Sequence, residues 1–288
     1  MEVRELERIP SLAPLYAKAL VGPVVPGSGG ELPDHALAVA SVDVDRDHLA
    51  AYCRVCGFAL RDLLPPTYLH VLAFPLAMSL MCERSFPFPL LGMVHIANRI
   101  DHRRPLPAGA APSLRVWAEN LRPHRRGRQL DVVAEAELGG ELAWREVSTY
   151  LRRGDPDGAP PAPRDEEEVA GEVAAVWSIP GDIGRRYAEV SGDRNPIHLH
   201  GLAARAFGFK GAIAHGMWMK ARCVAALEGR LGDALVAGVE FRSPLGIPGR
   251  ARLRLAAGEG AWRLALERPD GERVHMVGSV SPAAGGAG

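Results

Sequence analysis

The chain predicts an α+β protein made of two copies of one unit, each an antiparallel sheet wrapped round a single buried helix. The two units are expected to pack side by side as a pseudo-dimer. Three observations predict this. A stretch rich in proline, glycine and charge, LRRGDPDGAPPAPRDEEEVA at 151–170, divides the 288 residues into halves of similar length. Short markers recur in the same order in both halves. Each half also carries one compact apolar helix, followed by segments in which apolar and polar residues alternate.

The first marker pair is YCRVCGF (52–58) and YAEVSGD (187–193), each near the end of an expected helix. The buried helices follow, FPLAMSLMCER (74–84) and GMWMKARCVAALEG (216–229), the second with Gly229 placed to stop it. Their Met, Trp, Ala and Val content suits a helix covered round most of its circumference. Next come RRPLPAG (103–109) and RSPLGIPG (242–249), each leading into long strands. In the first half these are SLRVWAENL, LDVVAEAEL, a GGE turn and LAWREVSTYL. In the second they are ARLRLAA and AWRLALERPDGERVHMVGSVS, which turns at PDGE. Leu253/Leu255 and Trp262/Leu264/Leu266 show the period of two that marks a sheet with one buried face. The expected organisation is a domain at 1–150, a linker at 151–170 and a second domain at 171–288.

Composition narrows the classes of function. Hydrophobic residues make up 47% and charged residues 24%, ordinary for a soluble domain with a sizeable core. Lys+Arg and Asp+Glu both number 34, so no overall field draws the chain to nucleic acid or an anionic membrane, and neither is expected as a partner. The basic run RPHRRGRQ (122–129) reads as a solvated hairpin tip, with a patch for ligand phosphates as the sharper alternative. MEVRELERIP lacks the apolar core of a signal peptide, and no window has the ~20 apolar residues of a membrane span, so a cytoplasmic protein is expected. Cys53 and Cys56 form a CxxC without a second pair and read as buried structural thiols, as do Cys82 and Cys223.

The chemistry concentrates in YAEVSGDRNPIHLHGLAARAFGFKGAIAHGM (187–217). Asp193 and His198 are separated by Pro196, which forbids a regular helix through that position and leaves a shaped loop. A carboxylate and an imidazole that share a water can remove and deliver protons near neutral pH. Asn195 can brace the loop by hydrogen bonds from its side chain to the backbone, after the tight turn at Ser191-Gly192. A helix opening at Gly216 would present free N–H groups, with the positive end of its dipole behind them, to a carbonyl oxygen gaining negative charge. The set suits proton abstraction beside a carbonyl with loss or addition of water. Asp193, His198, His200 and His215 could also ligate a metal, but their spacing fits no helical zinc motif, and no metal or cofactor is expected. His215 reads as a brace, and the role of His200 stays open.

The run Y-A-x-x-S-G-D-x-N-P-I-H, with Gly-Phe and I-A-H-G-M after it, resembles the signature of the MaoC-like dehydratases over 187–219. These are the (R)-specific enoyl-CoA hydratases of type 2 and the related 3-hydroxyacyl-thioester dehydratases. The resemblance implies two tandem hot-dog folds in the double hot-dog branch. It also implies a lyase of fatty acid metabolism that interconverts (3R)-3-hydroxyacyl and trans-2-enoyl thioesters of CoA or acyl carrier protein. Asp193 and His198 would be the catalytic pair, the Gly216 N–H would polarise the thioester carbonyl, and Ser191, Asn195 and His215 would support them. Phe58 stands where Asp193 stands, so the first half would have lost the chemistry but still shape the pocket. Phe58 and Phe74 are expected to line it. Arg205 and Lys210, the latter departing from the usual uncharged residue, are expected as cations near the pantetheine or nucleotide phosphates. The rivals are an acyl thioesterase on the same fold and a non-catalytic acyl-thioester binding protein. Pairing of chains into a homodimer is expected as well.

Overall fold

A computed structural model describes residues 1–21, 30–90, 92–154, 171–258 and 260–283. The first half runs β1 (Glu2–Glu5), α1 (Leu12–Val21), β2 (His35–Val39), α2 (Arg46–Cys56), α3 (Tyr68–Met81), β3 (Met93–His102), β4 (Ser113–His124), β5 (Gly127–Leu138) and β6 (Glu141–Arg153). The second runs β7 (Glu172–Ile179), α4 (Ile183–Ser191), α5 (Pro196–Leu199), α6 (Gly201–Ala206), α7 (Gly216–Ala225), β8 (Leu235–Phe241), β9 (Gly249–Gly258), β10 (Ala261–Glu267) and β11 (Val274–Pro282).

The described strands form one 11-stranded sheet in the order β1-β2-β4-β5-β6-β3-β8-β11-β10-β9-β7. Its two parts have the same connectivity. A first strand (β2 or β7) precedes the helices, the next (β3 or β8) lies at the far side, and a three-stranded meander fills the gap. The parts meet where β3 and β8 pair antiparallel, from Ala97↔Glu240 to His102↔Leu235. This is the expected double unit. Strand β6 extends to Arg153, into the first residues of the expected linker, and 155–170 lie outside the described residues.

The markers of the sequence repeat are the fixed points of the structure. Asp45 caps α2 by accepting from the N–H groups of Asp47 and His48 at 2.8 and 3.1 Å. Leu49, Tyr52, Cys53 and Cys56 are buried along one face of that helix. Helices α2 and α4 both stop at a glycine in the left-handed region, Gly57 at φ 86° and Gly192 at φ 72°. Leu64 N–H donates to the Leu106 carbonyl and Ala214 N–H to the Leu245 carbonyl, both at 2.8 Å. These contacts equate 64 with 214 across the halves.

The two central helices are almost wholly buried. Helix α7 opens at Gly216 as expected but ends at Ala225, short of Gly229, which closes the following turns at φ 76°. Helix α3 begins six residues before the expected Phe74, so that Pro75 lies inside it rather than in its first turn. An interior proline costs a helix ~3 kcal/mol, which the burial of Leu69, Leu76, Met78 and Leu80 offsets. All four cysteines are free; Cys53, Cys56 and Cys223 are buried and Cys82 is half-buried. Burial pushes the Cys53 thiol up to about 11, the behaviour of an inert structural thiol.

Candidate active site

The motif of the second half folds into a chain of local hydrogen bonds. At Gly192 the backbone turns out of α4, and the Asp193 N–H donates to Ser191 Oγ at 3.1 Å. Asp193 Oδ1 accepts from the Asn195 N–H at 3.1 Å. Asn195 caps α5, its side chain accepting from the Ile197 N–H at 3.4 Å, and Pro196 takes the first helical position, where its missing N–H costs nothing. His198 Nδ1 lies 2.9 Å from the Ile213 carbonyl. A carbonyl only accepts, so this nitrogen carries the proton and Nε2 keeps its lone pair. His215 Nε2 likewise donates to the Asp193 carbonyl at 2.9 Å and stands 3.8 Å from Asp193 Oδ2. The His198 and His215 rings stack at 3.7 Å.

These groups share a cavity of about 870 Å³ at the junction of the halves. Asp193, His198, His215 and Gly216 line it from the second half, and Tyr16, His70, Phe74 and Tyr150 from the first. Burial alone would raise the Asp193 carboxyl, but the imidazoles of His215 and His198 and the Asn195 N–H outweigh it and hold the group below its ordinary value. Burial lowers His198 against the opposing pull of Asp193 and the Ile213 carbonyl. His215 is driven down to about 3 by burial and by His198 beside it. At neutral pH the site therefore presents a carboxylate and two uncharged imidazoles.

Gly216 opens α7, and the first N–H groups of a helix have no partner within it. A Cβ added there would stand 3.0–3.2 Å from the ring of Phe241, so only glycine fits this wall without displacing the ring.

The expected site residues Ser191, Asp193, Asn195, His198, His215, Gly216 and Phe74 all line the cavity. Three others do not. Phe58 faces a separate cavity of about 50 Å³, lined also by Leu64, Pro66, Val224 and Leu227. The pseudo-two-fold that equates Phe58 with Asp193 carries it to the equivalent place at the other end of the junction. Phe58 replaces the acid and stacks on Tyr52 at 6.3 Å, and Pro66, equivalent to Gly216, has no N–H to offer. Arg205 and Lys210 are exposed outside the cavity, where α6 and the turn after it point them at solvent. The cations on the cavity wall are instead Arg126, Arg153, Arg194 and Arg242. Arg126 belongs to the basic run 122–129, whose tip joins β4 to β5 as a hairpin. His200 is exposed between α5 and α6.

Tyr16 on α1 is a site residue that the sequence did not mark, as are His70 and Tyr150. The Tyr16 hydroxyl donates to the Gly192 carbonyl at 3.0 Å, accepts from the Arg194 N–H at 2.6 Å and lies 3.5 Å from Asp193 Oδ1. Burial and the neighbouring Asp193 raise its pKa well above the ordinary value, so it stays a neutral donor.

Asp193, His198 and His215 also offer ligand atoms within 4.8 Å of one another. The stacked rings suit a cation poorly: an ion ~2.1 Å from one imidazole nitrogen, in the plane of its ring, lies far out of the plane of the other.

Fold and site together define a double hot-dog protein with an acid–imidazole pair facing a helix end. The family model for the MaoC like domain matches residues 160–248. The chain is 38% identical over 268 residues to 3-hydroxyacyl-thioester dehydratase X of Mycobacterium tuberculosis, covering 92% of this chain and 95% of that protein. The chain belongs to the MaoC-like dehydratase family and is a hydro-lyase. The crystal structure of HtdX from Mycobacterium tuberculosis superposes with a TM-score of 0.76 at 37% identity, covering 85% of this chain and 98% of that one. A MaoC-like dehydratase from Phytophthora capsici shares the fold at a TM-score of 0.71 and 18% identity, covering 89% and 97% of the two chains. Among the described residues no helix is long and apolar enough to cross a membrane.

Proposed function

We infer that the chain interconverts (3R)-3-hydroxyacyl thioesters and trans-2-enoyl thioesters, carried on CoA or acyl carrier protein, at one active site per chain. The observation that carries this reading is the pairing of the Asp193 carboxylate with a His198 whose Nε2 is an acceptor, beside the open end of α7. Two acceptors match the two O–H donors of one water. In hydration the water oxygen attacks C3 while the pair takes one of its protons, and the pair returns a proton to C2. Charge gathers meanwhile on the thioester oxygen, where the Gly216 N–H and the helix dipole stabilise it. Dehydration runs the same steps backward. The pair ends each turnover in its starting protonation state, so no other proton donor is needed.

His215 holds Asp193 in place through the backbone, and its low pKa keeps a second positive charge out of the site. The first half, its own site closed by Phe58 and Pro66, gives one wall of the pocket. Incubation with a trans-2-enoyl-CoA tests the reading. The expected result is loss of the enoyl chromophore and formation of the (3R)-3-hydroxyacyl-CoA, with no free thiol. Thiol release would make the protein a thioesterase, and binding without chemical change would make it a carrier.

A further inference from the structure

The large cavity has a second polar cluster that the hydration chemistry leaves unused, built mainly from the first half and anchored by Lys220 of the second. His70, on buried α3, sets Nδ1 2.9 and 3.0 Å from the two carboxylate oxygens of Glu146 on β6. Glu146 also accepts from Asn98 Nδ2 at 2.5 Å, and Asn98 Oδ1 accepts in turn from the fully buried Lys220 Nζ. The carboxylate thus fixes a proton on Nδ1 and leaves Nε2 as the other hydrogen-bonding atom of a ring that lines the cavity. Beside it His95 stacks on His70 at 6.5 Å and on Tyr150 at 4.7 Å. His95 Nε2 is buried without a hydrogen-bond partner. A register shift between His95 and Ala97 interrupts the β3–β6 pairing, so that Val94, His95 and Ile96 all reach the cavity wall. Bulges of this kind re-aim side chains beside ligand sites.

The surroundings say which part of a thioester would meet this cluster. His70 heads a stripe down α3 that continues through Phe74, Met78 and Met81, all on the cavity wall. Over the eleven steps from His70 to Met81 a helix rises ~16 Å. Leu90, Met93 and Leu151 complete an apolar channel suited to methylene groups rather than to the amides of pantetheine. On the other side His95 packs edge-on to Phe241 at 5.1 Å, and that ring touches the Gly216 wall. The cluster therefore lies between the reacting carbons and the channel. A plain hydrocarbon chain crossing it offers the ring nitrogens no hydrogen bond, whereas a hydroxyl does, and a bond that only one of two ligands makes separates their affinities.

We propose that the His70/His95 cluster is a hydrogen-bonding subsite for a hydroxyl group on the acyl chain, a short way beyond C3, so that the protein prefers oxygenated acyl thioesters to plain ones. A hydroxyl fits because it both donates to a lone pair and accepts. The proposal rests on the hydratase reading above.

Two measurements test it. The first is the kcat/KM ratio of hydroxylated to plain trans-2-enoyl-CoA of equal length, with the hydroxyl moved in steps from C5 to C8. The native protein should favour at least one isomer by about tenfold, and His95→Phe should bring that ratio to about one. Because the ratio is read within each protein, a general loss of rate does not obscure it. The second is equilibrium binding of saturated acyl-CoAs with and without the hydroxyl, which needs no turnover and so separates failure of this proposal from failure of the hydratase reading. No preferred isomer in either measurement, or a preference that survives in His95→Phe, overturns the proposal. The same substitution tested on N-acetylcysteamine thioesters decides the source of the hydrogen-bonding group. A ratio that collapses there too supports the acyl chain. A defect seen with every CoA ester and absent from the short thioesters assigns the cluster to pantetheine and overturns the proposal.

Discussion

Replacing Tyr16 with Phe removes one oxygen atom and keeps the ring that lines the cavity. That oxygen ties α1 to the Asp193 loop through the Gly192 carbonyl at 3.0 Å and the Arg194 N–H at 2.6 Å, with a weaker approach to Asp193 Oδ1 at 3.5 Å. Each of the two close hydrogen bonds contributes ~1 kcal/mol net, and losing both leaves a carbonyl and an N–H without their partner on either side of Asp193. If the loop must hold its geometry to reach the transition state, about 2 kcal/mol appears as a loss of roughly 30-fold in rate. The hydroxyl is spent on the loop rather than on substrate, so the loss should fall on kcat and leave KM within about twofold. Initial rates of enoyl-CoA hydration measure both constants, and circular dichroism checks the fold. A Tyr16→Phe protein with native kcat, or with its whole defect in KM, would refute the assignment of Tyr16 as a positioning residue.

Gly216→Ala should fold but lose ~10- to 100-fold in kcat, because its Cβ would press on Phe241 at 3.0 Å and shift either the ring or the helix end; adding Phe241→Leu should restore part of the rate. Stability should fall on acidification. Burial holds His102 near 4 and His215 near 3 in the folded chain, below the 6.5 of a free imidazole, so the unfolded state takes up protons first and stability is lost as pH drops below about 6.5. At pH 5 each contributes ~2 kcal/mol of destabilisation, and thermal melts at pH 7 and 5 should show the lower Tm at pH 5; equal values would contradict the buried neutral state. Treatment with a strong chelator should leave hydration unchanged, and inactivation reversed by a divalent metal would show that Asp193, His198 and His215 hold a cation.

How much was legible in the sequence follows from which interactions are local. The repeat was readable because each marker performs the same backbone task in both halves: Gly57 and Gly192 end a helix, and the RxPL runs receive the hydrogen bonds at Leu106 and Leu245. The shape of the 191–198 loop was readable because its bonds span two residues, from Ser191 to Asp193, Asp193 to Asn195 and Asn195 to Ile197. Tyr16 was not, since its partners lie some 176 residues away and nothing in LAPLYAKALV marks the tyrosine. The alignment of Phe58 with Asp193 was sound, but equivalence under a pseudo-two-fold places residues in mirror sites, so Phe58 fills its own cavity rather than the active one. Arg205 and Lys210 are near the motif in sequence but point at solvent, whereas the cavity draws cations from a hairpin and a strand end of the other half, at Arg126 and Arg153, together with Arg194 in the loop itself and Arg242 just after β8.

The central claim is that Asp193 and His198 act as one proton-handling pair on water. The most direct test is the initial rate of crotonyl-CoA hydration, followed by loss of the enoyl-thioester absorbance, for the native chain and for Asp193→Asn and His198→Gln. Each substitution keeps the size of the side chain and removes a proton acceptor, so each variant should fold normally and lose at least ~100-fold in kcat. Retention of most of the native rate by either one would contradict the account.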